Sequence, residues 1–192
     1  MRSVCVYCGS SPGRLPDYRD GARRLGTSLA EQGIRLVYGG AHVGSMGAVA
    51  DAAMRAGGEV VGVIPRQMIA LEVAHEHLSE LHVVESMHER KALMAELSDG
   101  FVALPGGMGT VEELAETLTW SQLGIHRKPV GLLNRAGYWD QLLAFFDHAV
   151  GEGFLSPANR SLLLVEDEPD TLLARMAGWR APSIPAWDPP GI

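Results

Sequence analysis

Residues 101–113 read FVALPGGMGTVEE: an apolar run passes through a glycine-rich turn into a helical segment. Residues 34–47 follow the same plan and read IRLVYGGAHVGSMG. A short apolar run that leads through glycines into a longer amphipathic segment is typical of a strand–loop–helix unit. Repetition of this unit predicts a parallel sheet with helices packed on it.

The rest of the chain alternates in the same way. Short apolar runs predict seven strands, at residues 3–7, 34–38, 59–64, 81–84, 101–104, 130–133 and 162–165. Amphipathic segments between them predict helices, for example at 17–32, where apolar residues recur at helical spacing. We therefore predict an α/β fold: a doubly wound, Rossmann-like, mostly parallel sheet of about seven strands with helices on both faces. A TIM barrel would need eight units and about 250 residues.

Length and composition limit the class of protein. The 192 residues predict one nucleotide-monophosphate-binding domain over 1–180, followed by a tail at 181–192 that holds four of the 11 prolines. A formal net charge of -7 with no basic run argues against a nucleic-acid partner. No segment approaches the roughly 20 apolar residues of a membrane span, and the first residues do not resemble a signal peptide. We therefore expect a cytoplasmic protein.

Glycines gather after the first, second and fifth predicted strands. In open parallel sheets, ligands bind beyond the carboxyl ends of the strands, and bare N–H groups at a helix N-terminus favour an anion. Neither the glycine loop after the second strand nor the one after the fifth ends in G-K-[ST], and no G-x-G-x-x-G follows the first strand. A monophosphate is therefore favoured over a triphosphate or a dinucleotide. The predicted phosphate-binding residues are Gly9, Ser10, Gly39, Gly40, Gly44, Met46, Gly47 and Gly106.

Charged residues stand close to the third of these loops. Glu112 and Glu113 fall in the first helical turn after it, about 100 degrees apart, so at most one faces a ligand. Capping of the helix dipole would explain either carboxylate. A carboxylate beside a phosphate could also activate water or stabilise a cationic transition state. Upstream, the adjacent Arg90 and Lys91 form either a solvated face or a binding pair for an anion.

Two other patterns do not predict a metal or redox site. Cys5 and Cys8 form a C-x-x-C, but two ligands cannot close a structural zinc site, and Cys5 falls within a predicted strand. We expect a packed, reduced pair. His75 and His77 are two residues apart and would not share one face of a helix. No metal is expected.

Several motifs together resemble one known family. Residues 87–91 read M-H-x-R-K, and residues 105–113 read P-G-G-x-G-T-x-x-E. The segments CVYCGSS at 5–11 and TWSQLGIH at 119–126 add to the likeness. In order and spacing these motifs resemble the Lonely Guy (LOG) family, the cytokinin riboside 5'-monophosphate phosphoribohydrolases. The resemblance covers about residues 3 to 150 of the chain.

The resemblance implies an activity and a set of site residues. Members hydrolyse the N-glycosidic bond of an N6-modified AMP to free base and ribose 5-phosphate, with no metal or organic cofactor. By position, Arg90 and Glu113 are the implied catalytic pair, and a homodimer is expected. The implied substrate contacts are Glu72, Lys91, Gly107, Met108, Gly109, Thr110 and Thr119. Residues 73–82, VAHEHLSELH, differ from the Gly- and Thr-containing segment of plant members.

Three alternatives compete with this interpretation. A pyridoxal-phosphate lysine decarboxylase needs a Schiff-base lysine, and the chain has only Lys91 and Lys128. A molybdenum-cofactor carrier would share the fold without the chemistry. A general nucleosidase would act on plain AMP or another nucleoside monophosphate.

Overall fold

A computed structural model describes residues 1–69 and 74–182. Seven strands form one sheet. They are β1 (Ser3–Tyr7), β2 (Arg35–Tyr38), β3 (Val60–Pro65), β4 (Glu80–Val84), β5 (Phe101–Ala103), β6 (Val130–Leu133) and β7 (Leu163–Glu166). The α-helices in these residues are α1 (Pro16–Glu31), α2 (Gly44–Arg55), α3 (Met87–Glu96), α4 (Met108–Gln122), α5 (Asp140–Gly151), α6 (Pro157–Arg160) and α7 (Pro169–Gly178).

The sheet is parallel throughout, in the order β4-β3-β2-β1-β5-β6-β7. Cys5 of β1 pairs with Val37 on one side and with Phe101 on the other. Strand order therefore reverses at β1, and a crevice opens at the carboxyl ends of β1, β2 and β5. The prediction of a doubly wound, Rossmann-like sheet of seven strands is confirmed.

Alternating residues of β1 enter two separate cores. Val4 and Val6 pack with side chains of α1, α2 and α7, whereas Cys5 and Tyr7 pack with side chains of α3, α4 and α5. All five residues of β1 are buried, because side chains on both faces of the strand meet helices. Helices thus cover both faces of the sheet, as predicted.

Most predicted boundaries lie within two residues of the observed ones. The third strand was predicted at 59–64, and the observed β3 also includes Pro65, which pairs with Val84. A proline is tolerated at a strand end because few hydrogen bonds of the sheet depend on its missing N–H.

Glu72 and residues 183–192 of the predicted tail lie outside the described residues. Within the described part, no helix has the length and apolar character needed to cross a membrane.

Candidate active site

Three loops meet at the crevice: loop 1 (residues 8–15, after β1), loop 2 (39–43, after β2) and loop 3 (104–107, after β5). The Ser45 N–H donates to the Gly9 carbonyl oxygen over 3.1 Å, which ties loop 1 to the start of α2. On the other side, a Cβ at Gly9 would lie 3.3 Å from the Cα of Gly106. Loop 1 is therefore held between loops 2 and 3 by close backbone contacts.

A cavity of about 490 Å³ opens between these loops, α3 and the start of α4. We call it the main cavity. Its lining residues are Val6, Tyr7, Cys8, Gly9, Ser10, Gly39, Met46, Met68, Met87, Arg90, Met94, Gly107, Met108, Gly109, Thr110, Glu112 and Glu113. Its charged members come from α3 and α4, and five of its members are methionines.

Arg90 is fixed in the wall of this cavity. It lies in the first turn of α3, where the Ser86 hydroxyl accepts a hydrogen bond from the Glu89 N–H. Only 5% of Arg90 is exposed, and its Nη2 donates to the Gly39 carbonyl oxygen over 2.9 Å. A Cβ at position 39 would overlap the guanidinium, so glycine is needed there for arginine to reach the cavity.

Glu113 enters from the opposite side and is half-buried. It lies in the second turn of α4 and not in the first as expected, because the helix already begins at Met108, and Glu112 beside it lines the cavity as well. Burial raises the pKa of the Cys8 thiol, the Glu113 carboxylate raises it further, and the Arg90 guanidinium lowers it. Arg90 and Glu113 therefore act on the same group at the end of β1. This places an anion and a cation together on one apolar-walled cavity.

Lys91 and Lys128, the two lysines of the chain, do not line this cavity. The Lys91 ammonium bonds Glu112 over 2.5 Å and Glu116 over 3.0 Å. Burial lowers the pKa of Lys91, but the two carboxylates outweigh burial and raise it overall. The Lys128 ammonium donates to the Ala95 carbonyl oxygen over 2.7 Å. Neither amine is placed to form a Schiff base with a pyridoxal phosphate in the main cavity, so the residues of the site do not fit that cofactor.

The structure brings most of the sequence-predicted site residues together. The predicted residues that line the main cavity are Gly9, Ser10, Gly39, Met46, Arg90, Gly107, Met108, Gly109, Thr110 and Glu113. Gly40, Gly44, Gly47 and Gly106 do not line it but support the loops around it. Lys91 and Thr119 lie elsewhere: Thr119 lines a separate groove, and its hydroxyl donates to the Ala115 carbonyl oxygen.

Sequence reasoning missed several members of the lining. Met87 and Met94 share one face of α3 with Arg90, so their spacing of three and four residues could have identified them. Cys8 had been treated only as half of a redox or zinc motif. Met68 carries no such signal, because it lies in a 3-10 helix of only three residues, Arg66–Met68.

The cysteine and histidine pairs considered as redox or metal sites are placed as follows, with Cys8 in the lining of the main cavity. Cys5 and Cys8 are free and buried, and burial raises the pKa of both thiols. His75 is buried and its Nε2 lies 3.0 Å from a carboxylate oxygen of Asp51. Across residues 1–69 and 74–182, no group of three or more His, Cys, Asp or Glu side chains could hold a metal ion.

A doubly wound parallel sheet whose glycine loops enclose an arginine and a glutamate places this chain among the α/β proteins that have a ligand crevice at the carboxyl ends of their strands. A family model described as "possible lysine decarboxylase" matches residues 46–176. A cytokinin riboside 5'-monophosphate phosphoribohydrolase of Rhodococcoides fascians is 55% identical over 165 residues, 85% of this chain and 83% of the relative. LOG7 of Arabidopsis thaliana, which carries the same name, is 52% identical over 85% of this chain and 76% of its own. The chain belongs to the LOG family.

Solved structures share the fold at lower identity. The molybdenum cofactor binding protein of Rippkaea orientalis superposes with a TM-score of 0.70 at 22% identity and covers 93% of this chain and 96% of its own. The molybdenum cofactor carrier protein of Chlamydomonas reinhardtii gives a TM-score of 0.69 at 24% identity, with 93% and 97% covered. At these identities the likeness extends to the fold alone.

Proposed function

We propose that this chain hydrolyses the N-glycosidic bond of an N6-modified adenosine 5'-monophosphate and releases free base and ribose 5-phosphate. The observation that carries the proposal is the placement of Arg90 and Glu113 on one cavity beside three glycine loops. Relatives with more than half of their aligned residues identical bear the name of this activity.

In the proposed reaction, the bond between C1' of ribose and the base nitrogen breaks, and its electron pair leaves with the base. The ribosyl group then carries positive charge, which the Glu113 carboxylate stabilises while it orients water. The water oxygen bonds to C1' and one water proton passes to the carboxylate. The departing base takes a proton from solvent, and Glu113 then returns its proton to solvent. Arg90, whose guanidinium is held by the Gly39 carbonyl, steadies the substrate or the departing base.

The glycine loops supply the phosphate end of the site in this proposal. Gly107 and Gly109 have no heavy atom within 4 Å of where a Cβ would stand, so their backbone is open to a ligand. Thr110 is buried directly beside Gly106. N–H groups that begin a helix and carry no side-chain obstruction favour a phosphate.

Substrate contacts by Glu72, Lys91 and Thr119 stay predictions from the resemblance, as does the homodimer. A feature that supports a homodimer is the apolar groove that Thr119 lines with Leu118, Phe146 and Phe154. Phe154 is 91% exposed, and the exposed Leu123, Ile125 and Phe145 belong to the same helices and their following turns. Large apolar side chains left in water favour burial against a second copy. Sedimentation of the purified protein as a monomer would contradict it.

The activity is tested by incubating the purified protein with isopentenyladenosine 5'-monophosphate and, separately, with AMP. Free base is followed by chromatography. Removing the Glu113 charge should lower turnover at least about 100-fold in Glu113→Gln, because a carboxylate that stabilises transition-state charge contributes on this scale. Glu96→Gln is the matched control, since Glu96 is exposed at the far end of α3.

Two outcomes decide whether the chain catalyses this reaction and whether Glu113 has the proposed role. Release of base by wild type and Glu96→Gln but not by Glu113→Gln supports the reaction and the role of Glu113. Near wild-type turnover in a folded Glu113→Gln contradicts that role. The ratio of the rates on the two substrates separates an N6-modified substrate from plain AMP.

A further inference from the structure

His75 is a buried histidine outside the main cavity, and both of its ring nitrogens are hydrogen-bonded. It lies between β3 and β4, within the stretch 73–82 whose sequence differs from that of plant members, and only 8% of it is exposed. The His77 backbone N–H donates to its Nδ1 over 3.3 Å, so Nε2 carries the proton and donates to the Asp51 carboxylate over 3.0 Å. The ring therefore joins its own segment to α2, which contains Asp51.

The backbone around His75 is tied to loop 2. The His75 N–H donates to the Gly40 carbonyl oxygen over 2.9 Å, and an antiparallel bridge joins Ala74 to Ala41. The ring of His42, also in loop 2, meets the His75 ring edge to face with the ring centroids 6.2 Å apart. The chain around His75 thus holds loop 2, and the side-chain bond to α2 holds that chain in place.

Arg90 is bonded to the neighbouring carbonyl of the same loop. Its Nη2 donates to the Gly39 oxygen over 2.9 Å, one residue before the carbonyl that accepts from His75. That second carbonyl belongs to Gly40, whose φ of +78 degrees lies in the left-handed region that favours glycine. Two adjacent glycines have a wide choice of backbone conformations, so their carbonyls keep one orientation only when they are held. The direction of the Gly39 carbonyl, and with it that of the Arg90 guanidinium, therefore depends on the anchor at His75.

We propose that Asp51 and His75 are positioning residues, which hold loop 2 so that the Gly39 carbonyl keeps Arg90 in the main cavity. Neither residue lines that cavity, so both act through Arg90 and not on the substrate. The carboxylate orients the imidazole, the imidazole fixes its segment to α2, and the segment fixes loop 2. The expected effect on activity rests on the proposed function, whereas the expected effect on the Arg90 side chain does not.

The kinetic test removes each member of the pair in turn. For isopentenyladenosine 5'-monophosphate, His75→Ala and Asp51→Ala should each lower kcat/KM about 10-fold, because a small displacement of a group that acts on the substrate has effects of this size. The double variant should be no less active than either single variant, since the two residues act as one unit. Asp51→Ala places a good helix former at a half-exposed helical position, so it serves as the test if His75→Ala does not fold.

Rescue and control variants separate positioning from a general loss of structure. His75→Gln should return kcat/KM to within about threefold of wild type, because the glutamine amide N–H can donate to Asp51 in place of the imidazole N–H. His77→Ala is the matched control for His75, since its side chain is exposed and its backbone N–H remains. Arg55→Ala is the control for Asp51, because Arg55 is the other partner of that carboxylate, at 3.9 Å. Both controls should keep wild-type kcat/KM.

A spectroscopic measurement makes the result independent of turnover. The exchange of the Arg90 Nε–H with solvent is followed by NMR, and the resonance is assigned by its loss in Arg90→Lys. In His75→Ala and Asp51→Ala this exchange should become about 10-fold faster, because a side chain that is held less firmly opens to water more often. In His77→Ala and Arg55→Ala it should stay at the wild-type rate.

The outcomes separate the positioning role from the proposed reaction. Faster Arg90 exchange in a protein whose wild type releases no base would support the positioning role and refute the reaction. Wild-type kcat/KM and exchange in a folded His75→Ala or Asp51→Ala would overturn the positioning role. A loss of activity without faster exchange would overturn it too, because Arg90 would then not be the group that had moved.

Discussion

Gly47 and Gly109 occupy comparable places, in the first turns of α2 and α4 after glycine-rich loops, yet their surroundings are opposite. A Cβ at Gly47 would overlap the carbonyl oxygen of His42, and one at Gly44 would overlap the backbone of Ser10. A Cβ at Gly109 would meet nothing within 4 Å. The glycines of the β2–α2 unit allow close packing, whereas Gly109 leaves backbone uncovered beside the main cavity.

The two helices are also anchored differently. α2 packs tightly on α1, where a Cβ at Gly26 would overlap the Val49 carbonyl oxygen. α4 packs on the sheet through Leu114 and has polar contacts besides: Lys91 bonds two of its carboxylates, and the Thr117 hydroxyl meets the Tyr7 hydroxyl at 3.0 Å. Similar sequence patterns thus form a closely packed support in one place and, in the other, a helix start whose backbone is open beside the main cavity. Mutation and pH should therefore affect the two units unequally.

The largest effect is expected at Gly47. In Gly47→Ala the new methyl group would overlap His42 backbone that cannot move without displacing loop 2, so we expect a loss of about 3 kcal/mol in the free energy of unfolding. Urea unfolding followed by circular dichroism measures it. A change below about 1 kcal/mol would show that loop 2 is not tightly packed and would remove the contrast with loop 3.

Gly109→Ala should behave in the opposite way. Alanine within a helix is favoured over glycine, so the free energy of unfolding should rise by about 0.5–1 kcal/mol. Because the added methyl group stands beside the main cavity, kcat/KM on the nucleotide should fall about 10-fold. Unfolding and steady-state kinetics on the same preparation test both. Unchanged kinetics would place the substrate away from this turn.

The smallest effect is a pH dependence confined to the α4 unit. The half-buried His126 donates through Nε2 to the Thr117 carbonyl oxygen over 3.0 Å, and its Nδ1 accepts from the Lys128 N–H. Burial lowers the pKa of His126 below its usual 6.5, and the Lys128 charge adds to this, against the opposing hydrogen bond to Thr117. The unfolded chain therefore binds the proton first, and stability falls as pH drops below about 6.5 towards the folded pKa.

The measurement is thermal unfolding between pH 7.5 and pH 5. His126→Gln should show a shallower loss of stability over this range than wild type. His148→Gln, at an exposed position on α5, should keep the wild-type slope. Equal slopes in wild type and His126→Gln would mean that His126 does not link α4 to pH.

The fold was largely predictable because most strands are short and apolar, and β2, β3 and β5 have glycine or proline close to both ends, so little depended on tertiary context. Arg90, Glu113 and the glycines around Met108 were predictable from motifs, since their local spacing fixes their place on α3 and α4. The direction in which the buried Lys91 side chain points was not predictable. Lys91 adjoins Arg90 in sequence, but two carboxylates on α4 draw it away from the main cavity. That choice depends on a helix 20 residues downstream, which no local pattern reveals.

The roles of the glycines were equally hidden. Gly44 and Gly47 were predicted to bind phosphate, and Gly107 and Gly109 to contact substrate, from similar glycine-rich patterns. Only the positions of His42 and Ser10 show that the first pair is packed against protein. Thr119 illustrates the same limit on a helix, because its motif fixes its neighbours in sequence while the groove it faces is built by α5 and α6.

The position of β1 at the centre of the sheet has a consequence for how the protein is made. Of the seven strands, β1 leaves the ribosome first, but one of its two partner strands is β5. Beside that pair, the Asp99 N–H donates to the Ser3 hydroxyl across a separation of 96 residues. Until loop 3 has been synthesised, the crevice has only one wall. The edge of β1 that later pairs with β5 stays unpaired until then, or is shielded by other groups. A chain interrupted after β4 would carry two of the three glycine loops and neither Glu113 nor a closed cavity. The cavity is therefore complete only when the second half of the sheet has docked on the first.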